Sequence, residues 1–416
     1  MPKTQTDKTE LGKPKLRQVQ PQWTQYNGNN FLTLRDPLAL SNNTVLVPDT
    51  MASIIPLLDG SRDIGGLQST ILLRSGMYIS QEDIKELLTS LNNAYLLENQ
   101  ISKNVIDSAL EQYQIAPYRQ PAHSNIVYPG KKSNFIASIH PYEQKALKID
   151  PLPESVKVTG MVSPHIDYQR GGEIYAQLWR RCSNSLKEIE LVIILGTDHN
   201  GRSGSLTLTK QNYATPIGQL PTEVEVVGKL SNVIGTESAF ADEIHHINEH
   251  SIELSCNWLH RYVERPVPMV PILCGSFYEY LAGNKNIEED EQMNEAIDYL
   301  KKVTKERRTL VIAAGDLSHV GPAFGDREPI NNINQRSLAI KDAESIKAID
   351  TIDSSTFLDI SRKESDQRKI CGIPPIYIAL KLLTGSQGES MGYKQCPADN
   401  KNTSYVSIVG SIFHSN

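Results

Sequence analysis

From Val156 to the C-terminus, short and uniformly apolar runs alternate with segments of helical periodicity. Strands buried on both faces read this way, because neither side of the strand has to meet water. The pattern predicts strands over 156–164, 190–195, 267–273, 309–314 and 404–409. Helices are expected over 172–181, 223–230, 250–263, 287–305, 337–348, 351–361 and 374–383. The expected fold is therefore three-layer α/β/α with a mainly parallel sheet.

In open α/β sheets, ligands bind outside the carboxyl ends of the strands, where loops diverge and helix N-termini leave N–H groups unpaired. The strand ends of this chain carry chemistry. The first delivers Ser163-Pro164-His165, and the second runs through Gly196-Thr197-Asp198 to His199. A later run ends in Gly315 and delivers Asp316 and His319, while Cys371 stands just before an apolar helical pattern. A thiol at a helix start is favoured as thiolate by the helix dipole. Two imidazoles and a thiolate suit iron, copper or zinc.

Each residue also has a plainer explanation. Asp316 and Ser318 are good N-caps, and Cys371 could be an inert buried thiol. The stretch Glu243-Ile244-His245-His246-Ile247-Asn248-Glu249-His250-Ser251-Ile252-Glu253 is dense in ligand types but lacks the HExxH spacing. An acid/base set and a solvated helix start both account for it, with His250 and Glu253 on nearby faces.

A chain of 416 residues is too long for one ordinary core. Residues 1–35 are polar and read as a disordered or extended arm. Residues 36–100 read as a small winged-helix-like α+β domain: a strand near 44–47, an apolar stretch over 64–73, a helix opened by Ser80-Gln81-Glu82-Asp83, and a wing at 94–97. Such a module docks peptides or nucleic acid, or caps the larger domain. Residues 101–150 are expected to be a linker with a bridging helix over 133–147, and 151–416 to be the α/β domain.

A net charge of −6 and a pI near 6.0, without a long block of one sign, argue against nucleic acid as a partner. No apolar run approaches the ~20 residues that span a bilayer, and the N-terminus has no apolar leader, so no membrane is expected and the location is expected to be cytoplasmic. Five widely spaced cysteines without a CxxC fit neither a disulfide framework nor a zinc ribbon. Cys182, Cys256 and Cys274 sit in apolar elements and read as small hydrophobes.

Taken together, Ser163-Pro164-His165, Leu195-Gly196-Thr197-Asp198-His199, Asn248-Glu249-His250-Ser251-Ile252-Glu253, Gly315-Asp316-Leu317-Ser318-His319 and Ile370-Cys371-Gly372-Ile373-Pro374-Pro375-Ile376 resemble the Memo family over residues 120 to 416. The whole layout is similar to the bacterial AmmeMemoRadiSam system protein B type. The resemblance implies a fold like that of class III extradiol dioxygenases, with His165, His199 and Cys371 as metal ligands and His250, Asp316 and His319 as neighbouring pocket residues. It implies iron or copper redox chemistry on a small-molecule or peptide substrate, alongside a radical SAM enzyme and a third system protein. Asn200 follows His199 where some members carry a second histidine, which narrows the ligand choice to His199. The leading expectation is a metal-dependent oxidoreductase; the alternatives are a non-enzymatic peptide- or partner-binding protein and a zinc-dependent hydrolase.

Overall fold

The computed structural model describes residues 12–415, which form two compact units divided after Ile115. In the first unit, β1 (Gln20–Tyr26), β2 (Asn29–Arg35) and β3 (Val45–Pro48) form an antiparallel sheet in that order. Helices α1 (Ile64–Ser75), α2 (Gln81–Asn93) and α3 (Gln100–Ile115) follow. Helix α2 starts where the sequence signals it: Ser80 accepts from the Asp83 N–H at 3.1 Å, and Ile84, Leu87, Leu88 and Leu91 are buried. These pack with Leu34, Val47, Ile54 and Ile71 into a core of the unit's own.

Three expectations for this unit change. The arm predicted over 1–35 is not extended coil throughout, since its second half is the β1–β2 hairpin around Asn27-Gly28; residues 1–11 lie outside the described residues. Polar composition hid the hairpin, because its strands are mostly exposed. The wing expected at 94–97 reduces to one bridge between Leu97 and Leu16, so the sheet precedes the helices instead of following them. The linker predicted over 101–150 is divided between the units. Helix α3 closes the first, and α4 (Lys132–Ala146) belongs to the second, where Phe135 and Ile139 are buried.

The second unit holds β4 (Lys157–Ser163), α5 (Tyr168–Cys182), β5 (Leu191–Thr197), the short β6 (Leu206–Leu208), β7 (Tyr213–Thr215) and β8 (Gly218–Leu220), then α6 (Val224–Ile234), α7 (Thr236–Phe240), α8 (His250–Tyr262) and β9 (Met269–Cys274). After these come α9 (Tyr278–Leu281), α10 (Glu291–Glu306), β10 (Thr309–Ala314), β11 (His319–Val320), α11 (Asn332–Asp350), α12 (Ser354–Lys363), α13 (Ile373–Leu382), β12 (Gln387–Pro397) and β13 (Tyr405–Ser415). The main sheet runs β11-β13-β4-β10-β5-β9-β6, with β12 on β13. Its four central strands, β4, β10, β5 and β9, are parallel, and the flanking strands pair antiparallel.

Alternate residues of the central strands feed opposite faces. Leu191, Ile193 and Leu195 join a core with α6, α10 and α13, while Val192 and Ile194 join one with α4, α5 and α8. The antiparallel strand β12 escaped sequence reading because its side chains are mostly half-buried or exposed and show no apolar run. Among the described residues, no helix is long and apolar enough to cross a membrane.

Candidate metal centre

The carboxyl ends of β4, β5 and β10 lie side by side, so the loops that follow bring His165, His199 and Asp316 to one edge of the sheet. The Cys371 loop reaches the same edge through backbone contact. Gly372 N–H donates to the Asp316 carbonyl at 3.0 Å, and Thr197 Oγ1 donates to the Cys371 carbonyl at 3.2 Å. This approach needs two glycines. A Cβ on Gly315 would lie 2.6 Å from Gly372 Cα, and one on Gly372 would lie 2.6 Å from the Asp316 carbonyl oxygen. Gly372→Ala is therefore expected to push the Cys371 loop outward, cost ~1–3 kcal/mol of stability, and weaken metal binding by roughly 10-fold. Chelator competition beside a urea melt checks both effects.

His165, His199 and Cys371 each offer a donor atom, and the three atoms lie within 4.8 Å of one another. Cys371 Sγ is 3.3 Å from His165 Nε2. His165 Nδ1 lies 3.1 Å from the Ala314 carbonyl, which only accepts, so Nδ1 carries a proton and Nε2 is the atom turned toward Cys371. His199 Nδ1 is held at 3.0 Å and 3.1 Å by the two oxygens of the Glu249 carboxylate, which likewise leaves Nε2 as the free atom. Metal-binding histidines are oriented in this way by a partner on the other ring nitrogen. Two such imidazoles and a soft sulfur fit iron, copper or zinc.

Glu249 does more than orient His199. It caps α8, accepting from the His250 and Ser251 N–H groups at 2.8 Å and 3.1 Å, and sits 3.1 Å from His250 Nδ1. The His199 and His250 rings stack at 4.9 Å, and both lie 5.1 Å from His165. Glu249, His199 and His250 also bring donor atoms close together, but one carboxylate accepting from two imidazoles accounts for that grouping.

Charges in this cluster reinforce one another. Burial opposes ionisation of Cys371, yet the His165 and His319 imidazoles beside it hold the thiol well below its ordinary range. Burial likewise opposes protonation of His165, but Asp316 and Cys371 lift it to about 9. Burial works against His199 too, and Glu249 raises it well above 6.5. The negative charge of Asp316, Glu249 and the Cys371 sulfur that raises both imidazoles would equally favour a metal cation taking the place of their protons.

A cavity of 780 Å³ opens on the cluster and is lined by all six residues singled out from the sequence: His165, His199, His250, Asp316, His319 and Cys371. Val127, Ile166, Leu254, Phe324 and Val406 make its apolar wall. Asp316 accepts from the His165 N–H at 2.9 Å and is no N-cap, because the segment leads into β11 instead of a helix. Ser318 is not a cap either; its hydroxyl donates to the buried Asp342 at 2.6 Å, which also takes Arg368 at 2.7 Å. His319 Nδ1 donates to the Leu317 carbonyl at 3.1 Å, so its Nε2 is the free atom. Burial lowers His250, Glu249 opposes that, and the His199 and His165 rings add to the lowering.

The remaining histidines of the dense stretch stay outside the cavity. His245 pairs with Asp198 at 2.9 Å. His246 is a fully buried core residue whose Nε2 lies 3.0 Å from the Thr207 carbonyl and whose Nδ1 lies 2.6 Å from the Tyr213 hydroxyl. Burial pushes His246 down to about 3. The unfolded chain takes up a proton below about 6.5 and the folded one does not, so stability present above that pH is lost as the pH falls toward 3. Between pH 7 and pH 5 the parent should lose about 2 kcal/mol that His246→Gln keeps, as read from urea melts at both pH values.

Sequence reading missed a set on the segment before α4. Arg119 Nη1 meets Glu253 at 2.6 Å, both residues being essentially inaccessible, and the Ala122 and His123 N–H groups and the Tyr128 hydroxyl donate to the same carboxylate. His123 lines the cavity and touches His250 edge-on at 5.6 Å. Single polar residues in a segment without periodicity carry no signal; only the partner, Glu253, stood in a recognisable motif.

Residues 119–412, which contain every group described above, match the family profile described as Memo-like protein. A MEMO1 family protein of Aquifex aeolicus is 24% identical over 414 residues, covering 97% of this chain and 100% of the relative. MEMO1 family proteins of Methanocaldococcus jannaschii and Methanosarcina mazei are 28% and 27% identical over 284 and 243 residues, covering 64% and 57% of this chain and 86% and 78% of the relatives. With its second unit matched almost from end to end, this chain belongs to the Memo-like protein family.

Proposed function

We propose that this chain is a metal-dependent oxidoreductase that holds iron or copper through His165, His199 and Cys371 and acts on a small molecule in the 780 Å³ cavity. One observation carries the reading: two imidazoles with their Nδ1 atoms already engaged and a thiol held low converge within 4.8 Å at the cavity wall. When bound, iron or copper supplies one-electron redox chemistry there. The chain's own residues do the rest. His250 and His319 keep a ring nitrogen for taking or giving a proton, Asp316 fixes the His165 loop, and the apolar wall excludes water around the substrate.

Metal analysis of protein purified without oxygen, followed by a redox titration, tests this. Iron or copper near one per chain with a redox response supports it. The same ligand set also suits zinc, and stoichiometric zinc without a redox response would establish the hydrolase reading instead. Negligible metal would leave a binding protein.

The N-terminal unit we assign to docking, as a winged-helix-like module beside which a radical SAM enzyme and a third system protein would assemble. Its separate core supports this, as does the Aquifex relative, which spans nearly the whole chain. A cytoplasmic setting accords with five free cysteines. Co-purification of the partners with the full chain, lost with residues 1–115 removed, is the corresponding test.

A further inference from the structure

A seam of aromatic rings runs between α5 and α8, away from the metal cavity. On α8, His250, Leu254, Trp258 and Tyr262 recur every four residues. One helix face thus carries two cavity-lining side chains at its start and a half-buried tyrosine about 18 Å further along. Helix α5 contributes Tyr168, Tyr175 and Trp179, and the two sets interleave. Tyr168 lies 5.9 Å from Tyr128 and from Trp258, and 5.2 Å from Tyr175. Tyr175 stacks on Trp258 at 5.6 Å with 1° between the ring planes, and Trp258 lies 6.2 Å from Tyr262.

Packing alone does not explain the choice of rings. The indole N–H groups of Trp179 and Trp258 are buried with no hydrogen-bond acceptor. An unpaired buried donor costs ~1–3 kcal/mol, which phenylalanine would avoid while keeping an aromatic ring, though a smaller one, in the seam. At the inner end, where the adjacent Val127 lines the cavity, the Tyr128 phenol donates to the Glu253 carboxylate, which can take the strongly acidic proton of an oxidised phenol. Tyrosine and tryptophan share a property that phenylalanine lacks, namely one-electron oxidation at accessible potentials.

We propose that Tyr128, Tyr168, Trp258 and Tyr262 form a path that carries one-electron oxidising equivalents from the metal cavity to Tyr262 at the surface, a function that rests on the redox reading of the site. When a hydroperoxide has oxidised the metal-loaded centre, Tyr128 gives up one electron and passes its phenolic proton to Glu253. Electrons from Tyr168, Trp258 and Tyr262 then refill Tyr128 in turn, and Tyr128 recovers its proton from Glu253. Tyr262 releases its own proton to water and is left as the neutral phenoxyl radical. A soluble hydrogen-atom donor of the ascorbate class restores it. The hydroperoxide takes two electrons, so two passages return the centre to its starting state.

Two measurements test the path. In the first, iron- or copper-loaded protein is mixed with hydrogen peroxide, freeze-quenched for electron paramagnetic resonance, and mapped by peptide mass spectrometry. A tyrosyl signal is expected that Tyr262→Phe abolishes and that Trp258→Phe and Tyr168→Phe each lower at least tenfold. Equal oxidation of Tyr262 in those variants, or in metal-free protein, overturns the proposal.

The second measurement needs no metal. A ruthenium tris-bipyridyl photo-oxidant is tethered to Cys371, the one cysteine of five that is not buried, by a linker that leaves the complex at the cavity mouth. Flash-quench oxidation should produce the Tyr262 radical at least tenfold faster in the parent than in Trp258→Phe, and equal rates sink the path. Conduction here in a protein that binds no metal would remove the metal reading and, with it, the proposed role.

Discussion

Cys371→Ser is expected to lower affinity for iron or copper by more than ~100-fold, beyond the upper end of what outer partners of a metal ligand contribute. Serine stays protonated at neutral pH and offers a hard neutral oxygen where the parent offers a soft anion. It also removes the negative charge that faces His165, leaving two imidazoles with less reason to share a small volume. His165→Ala should match it, because its Nε2 is one of three donor atoms. Glu249→Gln should fall between about 10- and 100-fold, since His199 keeps its nitrogen but loses the carboxylate that aims it. His319→Ala, outside the donor set, should change affinity less than tenfold. Anaerobic chelator competition orders the four variants, and a Cys371→Ser protein that binds as tightly as the parent would remove Cys371 from the ligand set.

Glu253→Ala is expected to cost about 3–5 kcal/mol of stability, the largest loss from any single substitution considered for this chain. Arg119 and Glu253 are essentially inaccessible, and removing the carboxylate leaves a buried guanidinium charge with the Gln120, His246 and Glu249 carbonyls but without its counter-ion. The two backbone N–H groups of Ala122 and His123 and the Tyr128 hydroxyl lose their acceptor as well. For that reason an apolar pair at 119 and 253, which can rescue an ordinary buried ion pair, should not rescue this one. Burial works against the Glu253 charge, but Arg119 and its other donors hold it at about 2 against an ordinary 4.5. Its contribution is accordingly complete above about pH 4.5 and is lost as the pH falls toward 2. Urea melts at neutral pH and at about pH 3.5 should show the acid-labile component in the parent and not in Glu253→Ala.

The central sheet was legible because a strand buried on both faces must be apolar throughout, and Thr309–Ala314 appears at its predicted bounds. The helices were legible from period and, at Ser80, from the cap, whereas the Glu249 cap of α8 emerged only in the structure. Elements with one face in water left weaker traces. Strands β1, β2 and β12 carry mostly exposed or half-buried side chains, so their composition resembles that of a loop until a partner strand is known. The N-cap explanations for Asp316 and Ser318 failed for a related reason: whether a helix starts after such a residue depends on what its backbone finds to bond, and here Leu317 N–H donates to Ser407 at 2.8 Å on a distant strand.

The sequence by itself determined which side chains were available and which strand ends would present them, since apolar runs stop where the sheet meets water and ligand-type residues follow the stops of β4, β5 and β10. It also carried the motifs by which the Memo-like family is recognised. Tertiary structure alone decided that β10 lies between β4 and β5, and so that residues 165, 199 and 316 become neighbours. It decided as well that Gly315 and Gly372 meet, bringing Cys371 to the histidines, and that Arg119, His123 and Tyr128 close on Glu253. Strand order, close backbone approach and the matching of buried charges are set by contacts between residues far apart in the chain, and no local pattern of hydrophobicity encodes them.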